Sequence, residues 1–307
     1  MNIAFWSPFG GSGASNLSAL AAAVSAVRFP CRIVVLENYL SARNLGHLLL
    51  GERYGELRQN FRQFEAGIKR GDTFLQFLSA ETGRRVRGRR CLEVIPDSLY
   101  FCPMNQSLSK DIYEYGFMEE LPETLEYCGE FYDAAFWNLE SNRNVTTPWL
   151  LEQADQAVVC LPGTWEAFQK FFDDYKSLMP KSLLVLQEQP TAALSMPSLI
   201  RRIRRKYAVP KGRLYGWHMT GELVCALEEG KTVEYVCANY RTEKTSPEYE
   251  GLRCLRNLAF QLLRREREQP PLGYPELNAA LLARKQSSSP ETSSELRKTA
   301  EELWVAD

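Results

Sequence analysis

The sequence has little histidine and no paired cysteines, and both shortages narrow the chemistry open to it. Only two histidines occur, His47 and His218, which leaves few zinc ligands and few side chains suited to proton transfer near neutral pH. The eight cysteines are Cys31, Cys91, Cys102, Cys128, Cys160, Cys225, Cys237 and Cys254. They form no Cys-x-x-Cys pair, and several lie in apolar runs such as Val158-Val159-Cys160-Leu161. Buried thiols in a reducing cytoplasm are therefore expected, rather than a metal centre or a disulfide frame. No run of about 18 apolar residues is present, so no membrane span is predicted. The first apolar stretch lacks a preceding basic region and is broken at once by Pro8 and glycines, so no secretory leader is predicted. A surplus of charge is also missing. Lys and Arg total 37 against 38 Asp and Glu, which argues against a polycationic nucleic-acid binder.

What is present suits an α/β protein. The 307 residues, 45% of them hydrophobic, fit one large domain of about 250 residues or two smaller ones. Short apolar runs recur at Ile3–Trp6, Arg32–Leu36, Ser98–Cys102, Ala134–Trp137, Gln156–Leu161 and Ser182–Leu186, with a weaker one at Arg213–Gly216. Most are nearly continuous rather than alternating, as in parallel strands covered on both faces. Helical patterns separate them. Leu17, Leu20, Ala21, Val24 and Val27 mark one face of a helix over Asn16–Arg28, and further helices are predicted over Thr164–Tyr175, Pro197–Tyr207 and Gly251–Arg267. This order predicts a doubly wound, mostly parallel sheet with helices on both faces and ligands at the carboxyl ends of the strands.

The chemistry concentrates in Phe9-Gly10-Gly11-Ser12-Gly13-Ala14-Ser15, between the first strand and the first helix. Strand, glycine turn and helix together let backbone N–H groups and a helix N-terminus hold a phosphate. A catalytic loop of this kind also needs a lysine on the outer phosphates, and Ala14 stands at that position.

Taken with later segments, the loop resembles that of the ParA/MinD family of deviant Walker ATPases, over about residues 1–265. Family members carry lysine-Gly-Gly-x-Gly-lysine-Ser/Thr at this turn. Here Gly10, Gly11, Gly13 and Ser15 remain, while Phe9 replaces the signature lysine and Ala14 the Walker lysine. Glu37 stands at the end of the second strand, where the family usually has an aspartate. Tyr132-Asp133 opens the family's Tyr-Asp-x-x-x-x-Asp pattern, whose closing aspartate is Asn138. The adenine-reading asparagine of relatives aligns with Gln187 or nearby, and Trp217-His218 replaces their Ile-Pro.

The resemblance thus implies a nucleotide site made of Gly10, Gly11, Ser12, Gly13, Ala14, Ser15, Asn16, Glu37, Asn138 and Gln187. Ser15 would be the magnesium ligand, and ATP or ADP the cofactor. The degenerate Gly-Gly-x-Gly-x-Ser loop looks most like the pilus-assembly members called TadZ or CpaE. That likeness implies a cytoplasmic positioning protein, peripheral to a membrane only through partners, which are components of a pilus or secretion apparatus, and a homodimer through the loop face.

The substitutions argue against hydrolysis. In relatives two lysines and magnesium neutralise the β and γ phosphates, and that clamp supplies most of the catalysis. Losing one charge-assisted contact costs about 1.5–3 kcal/mol of binding. Phe9 and Ala14 remove both cations, and Asn138 removes a carboxylate. A pseudoenzyme is expected, with weak nucleotide binding through the surviving amides as one reading. The other is that the glycines only let the helix pack close to the sheet, with Phe9 filling the pocket. A slow ATPase using Glu37 and a cation such as Arg43 is the first alternative.

Elsewhere, Arg84–Arg90 could grip nucleic-acid phosphates, but no aromatics interleave for base stacking, and a solvated loop or a dock for an acidic partner is favoured. A nucleic-acid-associated partition protein acting through that cluster is the second alternative. Arg201-Arg202 and Arg204-Arg205-Lys206 repeat the ambiguity on a helix. Glu119, Glu120, Glu123 and Glu126 read as a solvated helical face. The expected organisation is a P-loop-type domain over 1–267 and a partly disordered linker with a short helix over 268–307, where Trp304 is a candidate for partner docking.

Overall fold

Seven strands lie parallel in one eight-stranded sheet, and the eighth runs antiparallel at an edge. The structure is a computed structural model and describes residues 1–39, 45–54, 91–102, 110–141, 144–189 and 194–263. The strands are β1 Asn2–Trp6, β2 Ile33–Asn38, β3 Leu92–Ile95, β4 Leu99–Cys102, β5 Ala134–Leu139, β6 Gln156–Pro162, β7 Ser182–Gln187 and β8 Leu214–Trp217. Their spatial order is β3-β4-β2-β5-β1-β6-β7-β8. The chain therefore leaves β1 for β2 on one side and later returns to place β6 on the other. Such a reversal opens a crevice at the carboxyl ends of the central strands.

The described helices are α1 Ala14–Arg28, α2 Leu45–Leu50, α3 Lys110–Phe131, α4 Thr146–Gln153, α5 Trp165–Tyr175, α6 Met196–Tyr207, α7 Gly221–Glu228, α8 Thr232–Asn239 and α9 Glu248–Leu262. Alternate strand residues sort them into two layers. Ala4, Trp6, Trp137, Leu139, Val159, Leu161 and Leu186 face α3, α4, α5 and α6, where Phe117, Phe168, Phe171, Leu199 and Ile203 fill the space. The other residues of β1, β2, β4, β5 and β6 face α1, β8 packs against α9, and α1 packs in turn against α8 and α9.

That second layer corrects the expectation of a one-faced helix. Every residue of α1 from Leu17 to Val27 is buried, because α8 and α9 cover the side turned away from the sheet. Alanine and serine supply much of it, and their small volume lets three layers approach closely. The structure also adds elements that the apolar pattern did not mark. Strand β3 follows an arginine-rich segment and is only four residues long. Helices α4, α7 and α8 have eight residues each, too few for a clear periodic stripe. Six cysteines are buried as expected, but Cys91 is half-buried and Cys225 is exposed at the outer side of α7.

The chain divides into two compact units, Met1–Gln269 and Pro270–Asp307. The second unit lies outside the described residues, as do Trp304, Arg43, the Arg84–Arg90 cluster and the segment 55–90. Glu123 and Glu126 are exposed on α3, in keeping with a solvated face. Among the described residues no helix is long and apolar enough to cross a membrane.

Candidate functional site

The turn between β1 and α1 sits at the crevice because β1 occupies the middle of the sheet, hydrogen-bonded to β5 and β6. Gly11 and Gly13 both adopt left-handed backbone, with φ of 73° and 75°. An L side chain there would be strained by about 1–2 kcal/mol, so glycine is required by the path of the chain. Gly13 is the N-cap of α1, and its carbonyl accepts the first helical bond from Leu17 N–H at 2.9 Å. Ala14, Ser15 and Asn16 form the first turn, whose N–H groups have no intrahelical acceptor.

Three contacts fix the loop, two within the turn and one from β6 beneath it. Ser12 Oγ donates to Phe9 O at 2.9 Å, Cys160 Sγ donates to Ser12 O at 2.6 Å, and Phe9 N–H donates to Ser7 Oγ at 3.0 Å. Phe9 is half-buried and packs against the cluster beneath α3–α6, on the face opposite α1. Gly10 and Gly11 are exposed, and no described atom comes within 4 Å of the position a Cβ would take on either. Among the described residues, nothing covers the loop's outer face at Gly10 and Gly11.

Strand-end side chains converge on the same side by parity. Glu37, Asn138, Cys160, Gln187 and Trp217 occupy the α1-facing positions of β2, β5, β6, β7 and β8. Glu37 lies beside Asn138 in the β2–β5 register and is 2% exposed. Asn138 is fully buried, and its Nδ2 donates to Ser15 Oγ at 3.0 Å. Gln187 pairs with Trp217 in register, and both press on Gly13 from below. Gln187 Oε1 stands 3.1 Å from where a Gly13 Cβ would be, and among the described residues it has no hydrogen-bond partner.

Two features of this edge were not visible in the sequence. One is Cys160, marked only as a buried thiol, which holds the loop carbonyl of Ser12. The other is a buried polar network past the ends of β2 and β5. Thr146 Oγ1 donates to Asn38 Oδ1 at 2.9 Å, Asn38 Nδ2 donates to Thr147 Oγ1 at 3.3 Å, and Thr147 Oγ1 donates to Glu140 O at 3.0 Å. Asn144 Oδ1 accepts from Thr147 N–H at 2.9 Å. The network ties the end of β2 to the start of α4 and sets the path of the chain after Asn138. Asn38 and the Thr146-Thr147 pair were the only signals for it, and neither had a partner recognisable from spacing.

These residues fit a phosphate better than a metal–triphosphate. The open turn, the first-turn amides and the helix dipole suit an anion, each dipole contact contributing about 0.3–1 kcal/mol. No lysine or arginine occurs between Ser7 and Asn16. Where the resemblance implies a metal, a neutral amide donates its proton to the Ser15 hydroxyl, where a carboxylate would accept one and leave negative charge for a cation. Gln187 Oε1 is turned inward against Gly13, so it reaches a base only if the side chain swings outward.

A glycine turn at the carboxyl end of a central parallel strand, feeding a buried helix, defines a P-loop NTPase-like α/β protein. No protein-family model matches the sequence, and no curated protein does. Solved structures do match in fold. A ParA family ATPase from Chlorobium tepidum TLS is 14% identical with a TM-score of 0.59, over 84% of this chain and 98% of that one. MinD from Pyrococcus horikoshii OT3, complexed with Mg-ADP, is 13% identical with a TM-score of 0.57, over 85% and 95%. A plasmid partition protein from Borrelia burgdorferi B31 bound to AMPPNP is 12% identical with a TM-score of 0.56, over 86% and 99%. The chain has the ParA/MinD fold.

Proposed function

We propose that this protein is a catalytically degenerate positioning scaffold of the ParA/MinD kind, retaining a weak phosphate or nucleotide cradle. One observation carries the reading: at the point where relatives clamp magnesium and phosphate, the loop offers open backbone but no cation, and Ser15 bonds to the neutral Asn138. Such a site binds through amides and lacks the charges that stabilise phosphoryl transfer. Neighbours in fold bound to AMPPNP and Mg-ADP support ATP or ADP as the ligand, held here without a tightly bound magnesium. Residues 1–267 form the scaffold, and 268–307 supply a linker and short helix for docking a partner. The partners are components of a pilus or secretion apparatus, and two copies meet through the loop face. That last assignment rests on the likeness of the loop to those of TadZ and CpaE.

The test is phosphate release from ATP by the purified full chain with magnesium, beside calorimetric titration of ATP without it. Release at background, with weak ATP binding lost in Gly13→Asp, is expected. Turnover that disappears in Glu37→Ala would overturn the reading in favour of a slow ATPase. Glu37 is the residue to vary because it lies buried beside Asn138.

A further inference from the structure

Cys91 and Cys102 stand at the opposite edge of the sheet from β8, away from the glycine loop. Strands β3 and β4 are antiparallel with Leu92 opposite Phe101, so Cys91 and Cys102 are the next cross-strand pair. Directly opposed residues in such a ladder hold their Cβ atoms about 4.5–5.5 Å apart, close to what a disulfide needs. The thiols lie close enough for each to shift the other's ionisation. The Tyr132 hydroxyl, between α3 and β5, acts on Cys91 as well. The two sulfurs are not equivalent: Cys91 is half-buried and Cys102 is buried.

We propose that Cys91 is a site of reversible modification by small disulfides, with Cys102 as its resolving thiol. Cys102 and Tyr132 hold the Cys91 thiol below its ordinary range against the opposing effect of burial. Cys102, beside Cys91 and fully desolvated, is pushed well up. One reachable thiolate beside one protonated, buried partner is the division of labour that dithiol exchange requires.

With oxidised glutathione the steps balance. The Cys91 thiolate attacks one sulfur, the glutathione S–S bond breaks, and glutathione thiolate leaves. Cys102 then loses its proton, attacks Cys91 Sγ and expels the second glutathione as thiolate. The protein is oxidised by two electrons and glutathione disulfide is reduced. Cys102 pairs with Leu36 in β4–β2, one residue before Glu37, so the new bond would staple the sheet edge next to β2, the strand that carries Glu37. Cys128 is buried in the same apolar cluster, but its thiol is pushed up by desolvation, which makes it a poor competitor.

The test is incubation of the purified full chain with oxidised glutathione, read by intact mass and peptide mapping. The expected result is a Cys91–Cys102 linkage with a mass loss of two hydrogens. Cys102→Ala should instead accumulate a glutathione adduct on Cys91, formed about tenfold faster than on the exposed Cys225. Cys91→Ala should form neither the linkage nor an adduct on Cys102. A stable adduct on Cys91 of the unaltered chain with no linkage would overturn the proposal. So would modification confined to Cys225, or a linkage through Cys128. The unaltered chain decides the matter even if a variant folds poorly.

Discussion

The two faces of the sheet are covered by helices of opposite make-up. On the side of α3–α6, large rings fill a deep layer: Trp6 lies 5.0 Å from Tyr175, Phe117 6.4 Å from Trp137, and Phe168 5.1 Å from Tyr207, ring centroid to centroid. On the side of α1, the strands supply the rings, with Phe5 5.1 Å from Phe136, while the helix itself is mostly alanine and serine and is buried all round. Large side chains make a layer that gains much from burial and loses much when truncated. Small ones make a layer with no room for addition. The glycine loop belongs to the second kind, because its position depends on how closely α1 lies on β1 and β5.

The sharpest way to break this comparison is to delete volume from the aromatic face. Phe168 is fully buried, and Phe168→Ala should lower stability by about 3–5 kcal/mol in urea denaturation while leaving the loop's ligand binding intact. Adding volume on the other face should cost less but reach the site. Ala22 is fully buried, and Ala22→Leu should destabilise by about 1–3 kcal/mol and also weaken any ATP binding seen by calorimetry. Equal effects from both variants on binding would mean that the faces do not differ in the way argued. The smallest change is Gly13→Ala, which forces a methyl group into left-handed backbone 3.1 Å from Gln187 Oε1. It should cost about 1–2 kcal/mol, measured the same way, and a neutral result would mean that the turn is free to rearrange.

A cationic surface on α6 adds a second contrast between the faces. Arg202 and Lys206 stack on the Trp165 ring at 4.0 and 5.0 Å from its centroid, while Arg204 donates to the carbonyls of Lys211 and Leu214. Local aromatic and carbonyl groups thus engage part of the charge that the sequence left open between nucleic acid and solvent. Cations in the last turn also suit the helix dipole.

Much of the fold was legible in the sequence because parallel strands buried on both faces leave unbroken apolar runs. Seven of the eight strands correspond to such runs, and β1, β2, β5 and β7 extend past them to take in polar residues. Asn138 and Gln187 are two of those extensions and meet the loop, Glu37 lies beside Asn138, and Asn38 ties β2 to α4. Strand β3 was missed because an antiparallel edge strand needs little apolar character, and Leu92-Glu93-Val94-Ile95 is too short to show alternation. In the site, loop and strand-end residue types could be read from spacing. Their contacts could not, since the Ser15–Asn138 bond spans 123 positions and the Cys160–Ser12 bond 148.

The sequence by itself determined the α/β class, the glycine turn, and the absence of lysine at its two key positions. Those are local properties, set by residue size, charge and backbone freedom over a few neighbours. Only the tertiary structure decided which strand ends surround the turn. Inserting β5 between β2 and β1 brings Asn138 to Ser15 and Glu37 to Asn138. Strand order is fixed by how helices cover the two faces, an energy spread over the whole core and written in no single segment.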